Sequence, residues 1–174
     1  IPPPGFELFH PDMRAWWEGL KVSPIEKVNI ISDLDTLAFA QKQKNMLEEY
    51  MGKEAAADER IALLIQLPGV GLLTAIAILA AIGTIARFPE DRLLVGYAGL
   101  GASVHASGES YTTGRITKTG RRDLRGAMVE AANSAVMHHP FWKAELERME
   151  RRLGRSKSVV AIARKLLIAV WHVL

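Results

Sequence analysis

The chain has 174 residues, of which 49% are hydrophobic and 24% charged, with 22 Lys and Arg against 19 Asp and Glu and no cysteine. That length and apolar content suffice for one domain with an appendage and exclude intrinsic disorder; the missing thiols exclude disulfides, thiolate zinc sites, iron–sulfur clusters and cysteine nucleophiles. The net charge of +3 is uneven, −4 over residues 1–104 and +7 over 105–174, so the field that suits a phosphate-bearing partner belongs to the second part.

The first five residues, Ile1-Pro2-Pro3-Pro4-Gly5, carry neither an initiator Met nor a signal pattern and read as the start of a fragment. Absent cysteine and absent signal fit a cytoplasmic protein. Residues 1–23, with Pro2, Pro3, Pro4, Pro11 and the aromatics Phe6, Phe9, Trp16 and Trp17, show no sustained period and read as an irregular lead-in. Ser23-Pro24-Ile25-Glu26 is a helix start, with an N-cap hydroxyl and Pro at the first helical position. Ile30, Ile31, Leu34, Leu37 and Ala38 continue it, and Leu47, Tyr50 and Met51 resume the stripe before Gly52. This long helix, assigned to 24–60, is either packed on its own domain or a coiled-coil arm that makes a homo-oligomer.

From Ile61 to Ala86 no residue is charged. Pro68-Gly69-Val70-Gly71 interrupts the run and leaves about 15 residues in its longer arm, short of the ~20 that cross a membrane, so a buried helical hairpin is expected and no membrane partner. The rest of 61–174 reads as helices over 55–66, 72–82, 90–97, 121–138, 140–153 and 156–174, the last N-capped by Ser156. The 23 alanines favour close-packed helices, so the fold class is all-α. Gly99 to Gly120 resists this pattern, with five glycines and the run Ser107 to Thr113; it is read as a Gly/Ser/Thr-rich active loop.

Three constellations carry chemistry. Leu64 to Ala75 places Pro68-Gly69-Val70-Gly71 between two apolar helices, the spacing of a helix-hairpin-helix module, in which Gly69 and Gly71 let backbone N–H groups approach a DNA phosphate. The plain reading of the same residues is a hairpin in a core, since the second helix is apolar almost all round and must be buried. Next, Ser107-Gly108-Glu109-Ser110 precedes Arg115, Lys118, Arg121, Arg122 and Arg125, five cations in eleven residues that either clamp phosphate oxygens or form a solvated basic loop. Finally, residues 143–165 hold a +5 balance around a helical turn, another surface fit for phosphate. Other sites fail on spacing. There is no Gly-Lys-Ser/Thr ending, no third dinucleotide glycine, no Gly-x-Ser-x-Gly elbow, and the adjacent His138 and His139 make a poor metal pair.

Taken in order, Leu67-Pro68-Gly69-Val70-Gly71 with Thr74-Ala75, Arg87-Phe88, Tyr97-Ala98-Gly99-Leu100, Ser107-Gly108, Gly114 to Gly120, Leu124-Arg125, Glu130-Ala131-Ala132 and Ala161 to Leu167 resemble the C-terminal domain of the IS110 family of insertion-sequence transposases. The resemblance covers about residues 61–174. It implies an N-terminal RuvC-like nuclease domain with Mg²⁺ ligands, missing here, without which the fragment is inactive. It further implies DNA recombination through a phosphoserine intermediate, and a structured bridge RNA as guide. The family's serine maps onto Ser107 as the catalytic nucleophile; the cations read above, Arg115, Lys118, Arg121, Arg122 and Arg125, then serve as DNA ligands, and His105, two residues before Ser107 on the same side of an extended segment, would assist. Gly101-Ala102 stands where the family commonly has a proline, and Thr119 to Arg122 replaces a more usual Asn-containing stretch. The alternative is a non-catalytic helix-hairpin-helix DNA-binding module; a third option is a helical dimerisation domain.

Overall fold

In the computed structural model the described residues are 8–107 and 110–174, and among these the side chains of 104–113 and 115 are left aside. The chain divides into two units, Ile1–Met51 and Gly52–Leu174. In the first, Pro11–Met13 form a 3-10 turn that leads into α1 (Arg14–Glu18), so part of the lead-in is helical. Trp17 anchors it: its indole N–H donates to the Leu8 carbonyl at 2.7 Å and Phe9 stacks on its ring at 5.9 Å. The long helix α2 (Pro24–Ala55) starts as expected. The Ser23 hydroxyl and N–H donate to Glu26 Oε2 at 2.6 and 2.9 Å, and the Glu26 N–H returns to Ser23 Oγ at 3.4 Å, a capping box with Pro24 at the first helical position. Arg14 ties α1 to α2 through Asp35 at 2.8 Å. None of the described residues up to Met51 is buried, and Ile25, Val28, Phe39, Leu47 and Tyr50 of α2 stand exposed.

The helix does not stop at Gly52. One internal glycine costs about 1 kcal/mol, too little to end a helix this long, and α2 runs on to Ala55. A helix expected over 55–66 is therefore shorter, α3 (Glu59–Leu64), started by Asp58, whose carboxylate accepts the Arg60 N–H at 3.0 Å. The chain turns at Pro68 and enters α4 (Leu72–Ile82). Beyond a 3-10 turn at Ile85–Arg87 come α5 (Asp91–Tyr97), a two-stranded hairpin, α6 (Arg122–His138), α7 (Pro140–Leu153) and α8 (Arg155–Val173). The last helix begins one residue before Ser156. Gly154 is its N-cap and has no side chain to accept the first N–H groups, while Ser158 inside the first turn gives its hydroxyl to the Gly154 carbonyl at 2.9 Å.

The core lies between α6 and α8, with α4 on α6, α5 on α8 and α7 against both. Leu124, Met128, Ala131 and Ala132 of α6 face Ile162, Ala163, Leu166 and Leu167 of α8, all fully buried, and the alanines let the two helices approach closely. Helix α4 is only half buried. Ala75, Ile78, Leu79, Ala81 and Ile82 point inward, whereas Leu72, Leu73, Ala77 and Ala80 are exposed; beyond the first two residues its outer face is alanine, which solvent tolerates. The indole N–H of Trp171 on α8 donates to the Phe88 carbonyl at 2.8 Å, joining the helix that ends the chain to the turn before α5. The fold class is all-α, as the composition implied. Among the described residues no helix is long and apolar enough to cross a membrane.

Candidate functional site

The segment read as a loop is a hairpin. Strand β1 (Ala102–Ser107) pairs antiparallel with β2 (Ser110–Ile116), which is rich in Tyr, Thr and Ile, side chains that suit a pleated surface better than a helix. The glycines that suggested a loop sit mainly outside or at the ends of the strands, so the count misled where the residues between them did not. The register pairs Ala102 with Ile116 but Val104 with Thr113, which puts one extra residue into β2, a bulge. Ser107 closes β1 and lies opposite Ser110. Gly108 and Glu109 lie outside the described residues, as do the side chains of His105, Ser107 and Arg115.

The base of the hairpin is built by α5 and α6. The Thr117 N–H donates to Gly101 O at 2.9 Å and the Lys118 N–H to Gly99 O at 3.2 Å, so the ladder continues below the strands. Lys118 has φ 56°, a left-handed conformation uncommon for a residue with a side chain. The Arg121 N–H then donates to the Tyr97 carbonyl at 2.8 Å. Tyr97 is fixed in turn: its hydroxyl donates to Ala81 O at 3.2 Å and accepts from Arg121 Nη1 at 3.4 Å, while Arg87 lies over its ring at 5.4 Å.

The five candidate cations divide. Arg115 is on β2, its side chain outside those described; Arg122 opens α6 exposed and makes no ion pair with the described residues. The Lys118 side chain is exposed. Arg121 is committed to Asp123, with bonds of 2.9 and 2.5 Å, and this pairing holds the Asp123 carboxyl well below the usual carboxylate range, helped by the Leu124 N–H. Arg125 is half-buried and its Nη1 donates to two carbonyls, Ala98 O at 3.0 Å and Lys118 O at 3.2 Å. Lys118 and Arg122 therefore stand exposed toward a partner, whereas Arg121 and Arg125 are engaged within the domain. Tyr97 is the residue that motif reading passed over as a site; an aromatic at a helix end just before Ala98-Gly99 is the signal that marks it.

Gly69 and Gly71 part company as well. Gly69 has φ +83° and packs so tightly on α6 that a Cβ there would overlap the Ala131 carbonyl and lie 2.6 Å from the Ala135 nitrogen. The close approach it permits is to α6. Gly71 is the N-cap of α4 in extended backbone, no side chain caps that helix, and a Cβ would meet nothing within 4 Å. The α7–α8 corner is basic and exposed, with Arg151, Arg152, Arg155 and Lys157, while Arg148 and Lys165 both pair with Glu145. Those two cations bring the Glu145 carboxyl down to about 2, Arg148 being the larger cause. His138 and His139 sit at helix ends, the former with Nδ1 2.9 Å from Ser134 O. Among the described residues no three His, Asp or Glu side chains gather to hold a metal ion. The resemblance places its Mg²⁺ ligands in the expected N-terminal domain and not among these residues.

Residues 61–147 match the transposase family described as IS116/IS110/IS902. The chain is 31% identical over 134 residues to the transposase for insertion sequence element IS1111A of Coxiella burnetii, covering 73% of this chain and 36% of that protein. It is 33% identical over 121 residues to the pilin gene-inverting protein of Moraxella bovis, covering 67% of this chain and 37% of that one. A protein of insertion element IS110 from Streptomyces coelicolor is 26% identical over 140 residues, 80% of this chain and 35% of its own. The chain spans a little over a third of the length of these relatives. With the match over half its residues and relatives of this kind, the chain belongs to the IS116/IS110/IS902 transposase family.

Proposed function

We propose that this chain is the nucleophile-bearing part of a DNA transposase and that Ser107 attacks the DNA. The observation that carries the reading is the hairpin: within a helical domain of this family, one antiparallel ribbon ends its first strand at Ser107 and returns into the cation-rich start of α6. In the proposed step, Ser107 Oγ forms a bond to the phosphorus of a DNA phosphodiester as the bond to one DNA oxygen breaks. The serine proton leaves to a base and the departing DNA oxygen takes up a proton. A second DNA hydroxyl then reverses the exchange on the new strand, so one phosphoester bond is kept at every stage. Arg115, Lys118 and Arg122 offset the charge that gathers on the phosphoryl oxygens. A Mg²⁺ held elsewhere in the full protein would stabilise the same charge.

The test is a covalent protein–DNA adduct in the full-length protein. Ser107→Ala abolishes it; an adduct that persists moves the nucleophile to Ser103 or Ser110. A second reading, a non-catalytic helix-hairpin-helix module, rests on Gly71 opening α4 into free space. It gives salt-dependent DNA binding and no adduct at all. A structured bridge RNA as guide and a cytoplasmic site of action belong to the same proposal. So does a homo-oligomer through residues 24–60, which the exposed Ile25, Val28, Phe39, Leu47 and Tyr50 support.

A further inference from the structure

The geometry points to Arg125 as a positioning residue: its guanidinium latches the base of the Ser107 hairpin to the helical core and is not spent on a DNA phosphate. This rests on the reading of Ser107 as the nucleophile. Three observations meet at one place. Arg125 Nη1 bridges the Ala98 carbonyl, where the chain leaves α5 for β1, and the Lys118 carbonyl, where it comes back from β2, at 3.0 and 3.2 Å. The two carbonyls belong to the outgoing and incoming arms, so a single donor group ties both arms to α6. Lys118 is held left-handed there, which leaves its carbonyl turned to Arg125 and its N–H to Gly99 O at 3.2 Å. Gly99, with φ +68°, packs against the same group: a Cβ on it would lie 2.8 Å from Arg125 Nη1 and 2.7 Å from the Thr119 carbonyl. The carbonyl of Ala98, on a fully buried residue, needs a donor, and a guanidinium supplies it in a fixed plane while reaching the Lys118 carbonyl as well.

The latch explains how a two-stranded ribbon, marginal by itself in water, keeps a defined exit from the core. Ala98 and Leu124, the residues flanking it, are fully buried, so the anchor point does not move with solvent. Arg121 reinforces it from the neighbouring turn through Asp123 and Tyr97. What reaches DNA from this cluster is then Lys118 and Arg122, while Arg125 acts through the hairpin.

Full-length protein carrying Arg125→Ala, and separately Gly99→Ala, is compared with wild type in three measurements: the single-turnover rate of adduct formation at saturating DNA per folded molecule, the salt dependence of DNA binding, and amide exchange at Thr117 and Lys118. The expected result for both variants is an adduct rate reduced at least tenfold, a salt slope unchanged, and exchange at Thr117 and Lys118 accelerated tenfold or more. Gly99→Ala removes no charge, so its agreement with Arg125→Ala excludes loss of a phosphate contact as the cause. Arg125→Lys, which keeps one donor and is the milder change, recovers part of the rate. A salt slope lowered by about one phosphate with exchange unchanged overturns the proposal and makes Arg125 a DNA ligand. If wild type forms no adduct, or Ser107→Ala still forms it, the nucleophile reading fails instead, and the exchange at Thr117 and Lys118 decides the latch alone.

Discussion

Two glycines two residues apart show how little a motif says about its own atoms. Gly69 has no room: a side chain would press on the backbone of Ala131 and Ala135 and would hold a left-handed φ as well. Gly69→Ala is expected to cost roughly 2–3 kcal/mol in urea unfolding, from overpacking together with the left-handed backbone. Gly71→Ala, in extended backbone with open space around it, is expected to change stability by less than about 0.5 kcal/mol. If Gly71 lies against a phosphate, its alanine variant lowers DNA affinity while the protein stays folded, a separation that filter binding and unfolding together would show. The sequence placed both residues in the turn of a helix-hairpin-helix by Pro-Gly-x-Gly. It could not separate them, because the difference is made by α6, more than sixty residues further along the chain. Ser107 was singled out by the family resemblance and its segment read as a loop, whereas the structure puts it at the end of β1.

At the scale of elements, helix boundaries were readable wherever a local rule decided them. Leu72–Ile82 and Pro140–Leu153 agree with the expected ends to the residue, the first set by Gly71 and Gly83 and the second by Pro140 and Gly154. Where glycines were weighed as breakers the reading slipped, as at Gly52, through which α2 continues, and at Gly99 to Gly120, where strand-forming side chains between the glycines outweighed them. Helices α7 and α8 are clipped by Glu145, whose carboxylate takes both Arg148 of its own helix and Lys165 of the next. Because its folded pKa, about 2, lies below the ordinary 4.5, this clip stabilises the native state in full above pH 4.5. It is lost as the pH falls from there toward 2, since the unfolded chain takes up its proton first. Glu145→Gln is thus expected to destabilise by on the order of 1 kcal/mol at pH 7 and to match wild type near pH 2, read from thermal unfolding across that range.

At the scale of the whole molecule, the core belongs to one unit only. Among the described residues every buried one lies at or beyond Ala55, whereas α2 presents apolar side chains before Met51 to solvent. Amides of residues 24–51 are therefore expected to exchange faster than those of α6 and α8 at low protein concentration. Protection that grows with concentration, followed by mass spectrometry at two concentrations, is the outcome expected if a second copy covers α2; fast exchange at both removes the homo-oligomer. The composition already separated an acidic first part from a basic second part, but charge counting alone does not say which basic residues are free for a partner. The structure spends several at home, on Asp123, on Glu145 and on two carbonyls.

The hydrogen bond from Trp171 to Phe88 has an optical consequence. The four tryptophans fall two to a unit, Trp16 and Trp17 in the first, Trp142 and Trp171 in the second. Trp171, half-buried with its indole N–H on a main-chain oxygen 83 residues away, emits from an environment that exists only while α8 is docked. Replacing the other three by phenylalanine would leave a fluorophore whose spectrum reports the docking of the last helix, without any label added to the protein.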